Sequence, residues 1–65
     1  MDNTIKKGDT FTVFGLTLSM KQLGTFVEGV EYQCHDVIEF TGIGTEIWKD
    51  EDNWINLSFC KKIIK

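Results

Sequence analysis

The sequence predicts a small all-β domain, a barrel of five or six short antiparallel strands. Three observations point there. Apolar residues recur with period two, as in "TFTV" and "VEYQCHDVIEF". Turn-forming clusters interrupt them every several residues. The 65 residues contain neither alanine nor proline. Alanine is the strongest helix former, so its absence argues against a helical bundle.

Taken in order, residues 1–8 are polar apart from Ile5 and form a lead-in. In "GDTFTVFG", Phe11 and Val13 share one face and Thr10 and Thr12 the other. "LTLSMKQL" alternates again, with Leu16, Leu18 and Met20 on one face. The phase changes at Phe14-Gly15, where a turn or bulge at Gly15 would absorb it. A helix at residues 19–23, from Ser19 to Leu23, is the other reading of this stretch, though too short to show periodicity. "GTFVEG" is a glycine-bounded corner.

The longest regular segment follows. Its pattern places Val30, Tyr32, Cys34, Ile38 and Phe40 on the inner face, and Glu31, Gln33, His35, Val37 and Glu39 on the outer. Asp36 breaks the inner face and marks a turn or bulge, because an unpaired buried carboxylate is costly. "TGIG" reads as a hairpin turn and "TEIWK" as a strand. "DEDN" is a second turn, rich in side chains that bond their own backbone. "WINL", a tight turn at "SFC" and "KKIIK" close the chain.

A single domain spans residues 1–65, since a chain this short supports one core. Five Phe, two Trp and one Tyr supply that core without metal or disulfide staples. Cys34 and Cys60 both fall in alternating apolar patterns and read as buried free thiols. No signal peptide or membrane-length apolar run is visible, so the expected location is cytoplasmic, in its own cell or an infected host.

The charge bounds the partners. Seven lysines face ten Asp and Glu, giving net charge −3, with no arginine. Arginine is the preferred reader of guanine edges and phosphates, so nucleic acid is the less favoured partner. A protein partner with a basic surface suits the acidic balance. A nucleic-acid patch would have to come from Lys6, Lys7, Lys61, Lys62 and Lys65, brought together if the chain ends meet. A structural or assembly subunit is the third reading, with monomer and small homo-oligomer both open.

Catalytic and metal-site patterns fail residue by residue. "CHD" at 34–36 sets His35 beside two potential ligands, but neighbours on a strand point to opposite faces. Residues 50–53 fail a calcium loop, because its fifth and sixth positions would be Trp54 and Ile55. No phosphate-binding glycine loop, nucleophile elbow or HExxH occurs. The chain is expected to be no enzyme and to need no metal or cofactor.

Lys6, Lys7, Gly8, Asp9, Phe11 and Val13 near the start, with Trp54, Ile55 and Leu57 near the end, resemble SH3-like barrels. The resemblance covers about half the chain. It implies that Ser58 and Phe59 form one turn of 3₁₀ helix before a last strand at Cys60 to Ile63. Peptide-binding SH3 domains carry a tyrosine-rich segment, paired tryptophans and a proline on that turn. Here the tryptophans are separated and Asn56 stands near the proline position, which disfavours a polyproline groove. Small size, acidity and a composition suggesting an AT-rich genome are similar to small uncharacterised phage-encoded SH3-like proteins. That likeness implies a factor that modulates or inhibits a host protein.

Trp48 and Trp54 flank the DEDN turn, and one of them is expected to pack in the core. Asp50, Glu51, Asp52 and Asn53, with Trp48 and Trp54, form the expected partner surface: an acidic loop tip beside large aromatics. All three acids are expected to be solvated and dispensable for folding.

Overall fold

A computed structural model describes residues 4–64. It is mostly β, with six strands in two three-stranded antiparallel sheets. In the first sheet, β1 (Thr10–Val13) lies between β2 (Tyr32–Gln33) and β6 (Cys60–Lys62). In the second, β4 (Gly44–Trp48) lies between β3 (Asp36–Phe40) and β5 (Trp54–Asn56). A single 3₁₀ turn, Leu57–Phe59, connects β5 to β6, where the tight turn was expected. Asn56 caps it by accepting a 2.9 Å hydrogen bond from the Ser58 N–H.

The inner faces meet in one core. Phe11 and Val13 come from β1, Cys60 from β6, and Ile47 and Ile55 from β4 and β5. Leu16, Phe26 and Cys34 close it from the connections between strands, and Ile5 from the segment before β1. No polar or charged residue is buried among the described residues.

Two expectations are corrected. The alternation of Leu16, Leu18 and Met20 is not a strand: a helix, α1 (Leu18–Leu23), occupies this stretch. Its ends explain why. The Thr17 hydroxyl accepts from the Met20 N–H at 3.2 Å, and Gly24 takes a left-handed φ of 72° just past the last turn. These caps hold a helix too short to form by propensity alone. Leu16 is buried, Met20 packs against the core, and Leu18 points to solvent, so the three share no face.

The second correction lies at Asp36. The chain leaves the first sheet after Gln33 and enters the second at Asp36, and the intervening break shifts the phase by one. Val37, assigned to the outer face, pairs with Ile47 and packs on the core. Ile38 and Phe40, assigned to the inner face, are exposed. Val30 is exposed as well, in the connection before β2. Asp36 itself is exposed, and its carboxylate accepts from the Val37 N–H at 2.9 Å.

Candidate functional site

The turn of residues 50–53 is built around one carboxylate. Asp50 Oδ1 accepts from the Asp52 N–H at 2.8 Å, the Asn53 N–H at 2.9 Å and the Asn53 amide Nδ2 at 2.9 Å. The Lys49 N–H donates to the Asn53 carbonyl at 3.1 Å and closes the hairpin. These donors hold the Asp50 carboxyl below its usual range, the Asp52 N–H first and the Asn53 amide next. Asp50 is therefore a structural clamp. Asp50 thus differs from Glu51 and Asp52, which stand exposed at the tip as surface charge.

The hairpin sets the tryptophans opposite each other. Trp48 and Trp54 are Cα partners, with ring centroids 6.4 Å apart and planes tilted by 36°. Strand parity sends both to the outer face, because Ile47 and Ile55 beside them point inward. Trp54 is 47% exposed, Trp48 is half-buried, and neither belongs to the buried core, which corrects the expectation that at least one of them packs there. The Trp48 Nε1 is buried without a hydrogen-bond partner among the described residues. Ile38 and Phe40 extend the same face along β3.

Two depressions flank the turn. One is lined by His35, Asp36, Ile38, Trp48, Asp50 and Glu51. The other, of about 400 Å³, lies between α1 and β5, and Asp52, Asn53 and Trp54 form part of its wall. Sequence reasoning missed this second depression, because α1 was read as a strand. Thr17 and Gly24, spaced as cap residues around "LSMKQL", were the available signal.

The lysines are brought together only in part. Lys62 Nζ lies 3.4 Å from Asp9 Oδ2, and that oxygen also accepts from the Lys6 N–H at 2.9 Å. Lys6 and Lys62 thus meet at Asp9, whose negative charge lies between them. The Asp9 carboxyl is held below its usual range chiefly by the Lys6 N–H; desolvation opposes this, and Lys62 adds to the lowering. Lys61 and Lys62 are successive on β6 and point to opposite faces. Lys7 is exposed beside Gly8, and Lys65 lies outside the described residues.

Elsewhere, Lys49 places its ammonium 5.4 Å from the ring centroids of both Phe26 and Tyr32. It ties the end of β4 to the loop after α1. Cys34 and Cys60 are both buried, and no disulfide joins them. Each thiol faces a backbone oxygen, Cys34 that of Asp36 at 3.3 Å and Cys60 that of Asn56 at 3.6 Å. Burial pushes the Cys60 thiol up to about 12, and raises Cys34 in the same direction. Neither is a thiolate near neutral pH, so neither is an activated nucleophile. His35 is exposed while Cys34 points inward, so the "CHD" residues do not converge. Among the described residues no group of three or more His, Cys, Asp or Glu could hold a metal ion, and no helix is long and apolar enough to cross a membrane.

No protein-family model matches the chain, and comparison with curated proteins and with solved structures finds no match.

Proposed function

We propose that this chain is a non-enzymatic protein-binding module on an SH3-like barrel, with its partner surface at the turn of residues 50–53 and the adjoining tryptophans. The observation that carries this reading is the pairing of an acidic tip, Glu51 and Asp52, with Trp54, which stays 47% exposed on a rigid sheet. Aromatic anchors rimmed by charge are typical of interface centres. The partner presents a basic surface, which complements the tip and the net charge of −3. The strand order and the 3₁₀ turn before β6 support the SH3-like assignment. Small size and acidity support a phage or mobile-element factor that modulates a host protein.

The test follows from the division of labour within the turn. Proteins captured from a host lysate on the immobilised chain are identified, and association rates are measured at low salt. The paired change Glu51→Gln and Asp52→Asn leaves the melting temperature near wild type and slows association several-fold, since rim charges act through on-rate. Asp50→Ala lowers the melting temperature by itself, because it removes the acceptor for three donors. Unchanged association rates for the paired variant would take the turn out of the interface.

A further inference from the structure

We propose that the groove between α1 and β5 is the anchoring pocket for this partner, and that it receives one large apolar side chain from a lysine- or arginine-rich segment. The inference rests on the protein-binding reading above and adds the pocket and the chemistry of its occupant.

The groove is apolar and already formed. Its floor is Phe26 and Ile55, both buried in the core. Met20 and Phe59 form walls, and both pack against the core. Trp54 closes one side from β5, and Leu23 stands at the rim, 78% exposed. Met20 and Leu23 are three residues apart on α1 and so lie side by side on its surface. Leu23 thus leaves its apolar surface in water beside the groove, an arrangement that marks interaction sites when polar residues surround it.

The helix that makes the wall is held in place. It buries none of its own residues, yet it is capped at both ends. Glu28 fixes it further: its carboxylate accepts from the Leu16 N–H at 3.3 Å and lies 3.5 Å from Lys21 Nζ. Phe26 is fixed by an edge contact with Tyr32, ring centroids 5.5 Å apart, and the Tyr32 hydroxyl accepts from the Val27 N–H at 2.9 Å. A preorganised pocket avoids the ordering cost that weakens binding to mobile surfaces. At about 400 Å³ it lies toward the small end of ligand sites, which run from roughly 300 to 1,000 Å³. That room suits an inserted side chain.

Charge selects the occupant. Among the described residues the only ionisable side chain lining the groove is Asp52, and Glu51 stands next to it on the turn. A segment with cations flanking its apolar anchor satisfies both. A second copy of this chain would bring its own acidic tip to the same place, where like charges oppose close approach.

The test uses a random 16-residue peptide library displayed against the immobilised chain. Enriched peptides are measured against Leu23→Glu, Leu18→Glu and the paired Glu51→Gln and Asp52→Asn variant. Leu18 is 72% exposed on the same helix but does not line the groove, so Leu18→Glu controls for added charge and for damage to α1. The expected result is enrichment of a large apolar residue flanked by Lys or Arg. Leu23→Glu weakens these peptides at least tenfold, Leu18→Glu less than twofold, and the paired variant slows their association. Peptides sensitive to the paired variant but not to Leu23→Glu would overturn the pocket and leave the acidic surface standing. Insensitivity to both, or no enrichment, would overturn both readings. Equal losses from the two leucine variants, enrichment of acidic peptides, or self-association abolished by Leu23→Glu would each overturn the proposed occupant.

Discussion

Val37, Ile47 and Ile55 lie side by side on the inner face of the β3–β4–β5 sheet, while Ile38, Trp48 and Trp54 lie on its outer face, one residue away along the same strands. Both sets are apolar. The inner three pack into the core, with Ile47 wholly buried. The outer three meet only part of a covering: Ile38 is 38% exposed, Trp54 47%, and the Trp48 indole nitrogen has no partner among the described residues. Hydrophobic identity alone therefore does not mark the core of a domain this small. Strand phase does, and an apolar outer face beside an acidic turn is available for a partner.

The largest expected effect tests the inner face. Ile47→Ala removes a fully buried side chain from the central strand of the sheet. Such truncations cost about 2–5 kcal/mol, a large part of the total stability of a small domain. Urea unfolding measures it. A loss below about 1 kcal/mol would mean that the inner face is loosely packed and that the contrast between the faces is false.

A second effect comes from the other sheet's contribution to the core. Cys60 on β6 is fully buried, and burial raises its thiol from 9.0 to about 12. Between those values the unfolded chain gives up the proton and the folded chain keeps it. The unfolded state then binds fewer protons, so stability falls as pH rises from about 9 toward 12 and is fully present below 9. Comparing wild type with Cys60→Val isolates this from lysine titration. The valine variant should show a flatter decline between pH 9 and 11. Parallel declines would place the thiol in contact with water and break the assignment of β6 to the core.

Much of this division was readable in the sequence. Phe11 and Val13 announced β1 by alternation, "TGIG" and "DEDN" fixed both turns of the second sheet, and Ser58 and Phe59 fell as expected on the 3₁₀ turn, with Cys60 opening the last strand; Leu57, expected on the strand "WINL", instead opens the 3₁₀ turn. Two features were not readable from periodicity. Six residues of helix give less than two turns, so Leu16, Leu18 and Met20 imitate a strand, and only the Thr17 and Gly24 caps betray the helix. Crossing from one sheet to the other at residues 34–36 costs no extra turn signal beyond Asp36, so the pattern of inner residues continued in the wrong phase. The candidate site was legible to the same degree. The acidic turn, its backbone-bonding side chains and its tryptophans stood out, but the groove beside them depends on α1 and stayed hidden, and that Asp50 in particular gathers the turn's donors came only from the structure.

On the outer face, Trp54→Ala should cost about 1–2 kcal/mol, because roughly half of the residue is already in water and its ring stacks, tilted, on Trp48, itself outside the core. The same substitution should abolish measurable partner binding. Thermal melts and binding titrations on one sample separate the two. A stability loss equal to that of Ile47→Ala would make Trp54 a core residue and remove the distinction between the faces.

The smallest expected effect concerns a polar group on the outward side of β1. Thr12 alternates with the buried Phe11 and Val13, and its Oγ1 is nonetheless covered, with no hydrogen-bond partner among the described residues. A hydroxyl removed from water without a partner is unfavourable, by about 1–3 kcal/mol in the worst case. Valine has nearly the same shape and suits a strand as well as threonine does. Thr12→Val should therefore leave stability unchanged or raise it by up to about 1 kcal/mol, where Thr→Val at a bonded hydroxyl would lower it. Chemical denaturation resolves the sign. Destabilisation would show that water or a residue of the chain end bonds the hydroxyl, and that the outward side of β1 is wetter than the outer face of the β3–β4–β5 sheet.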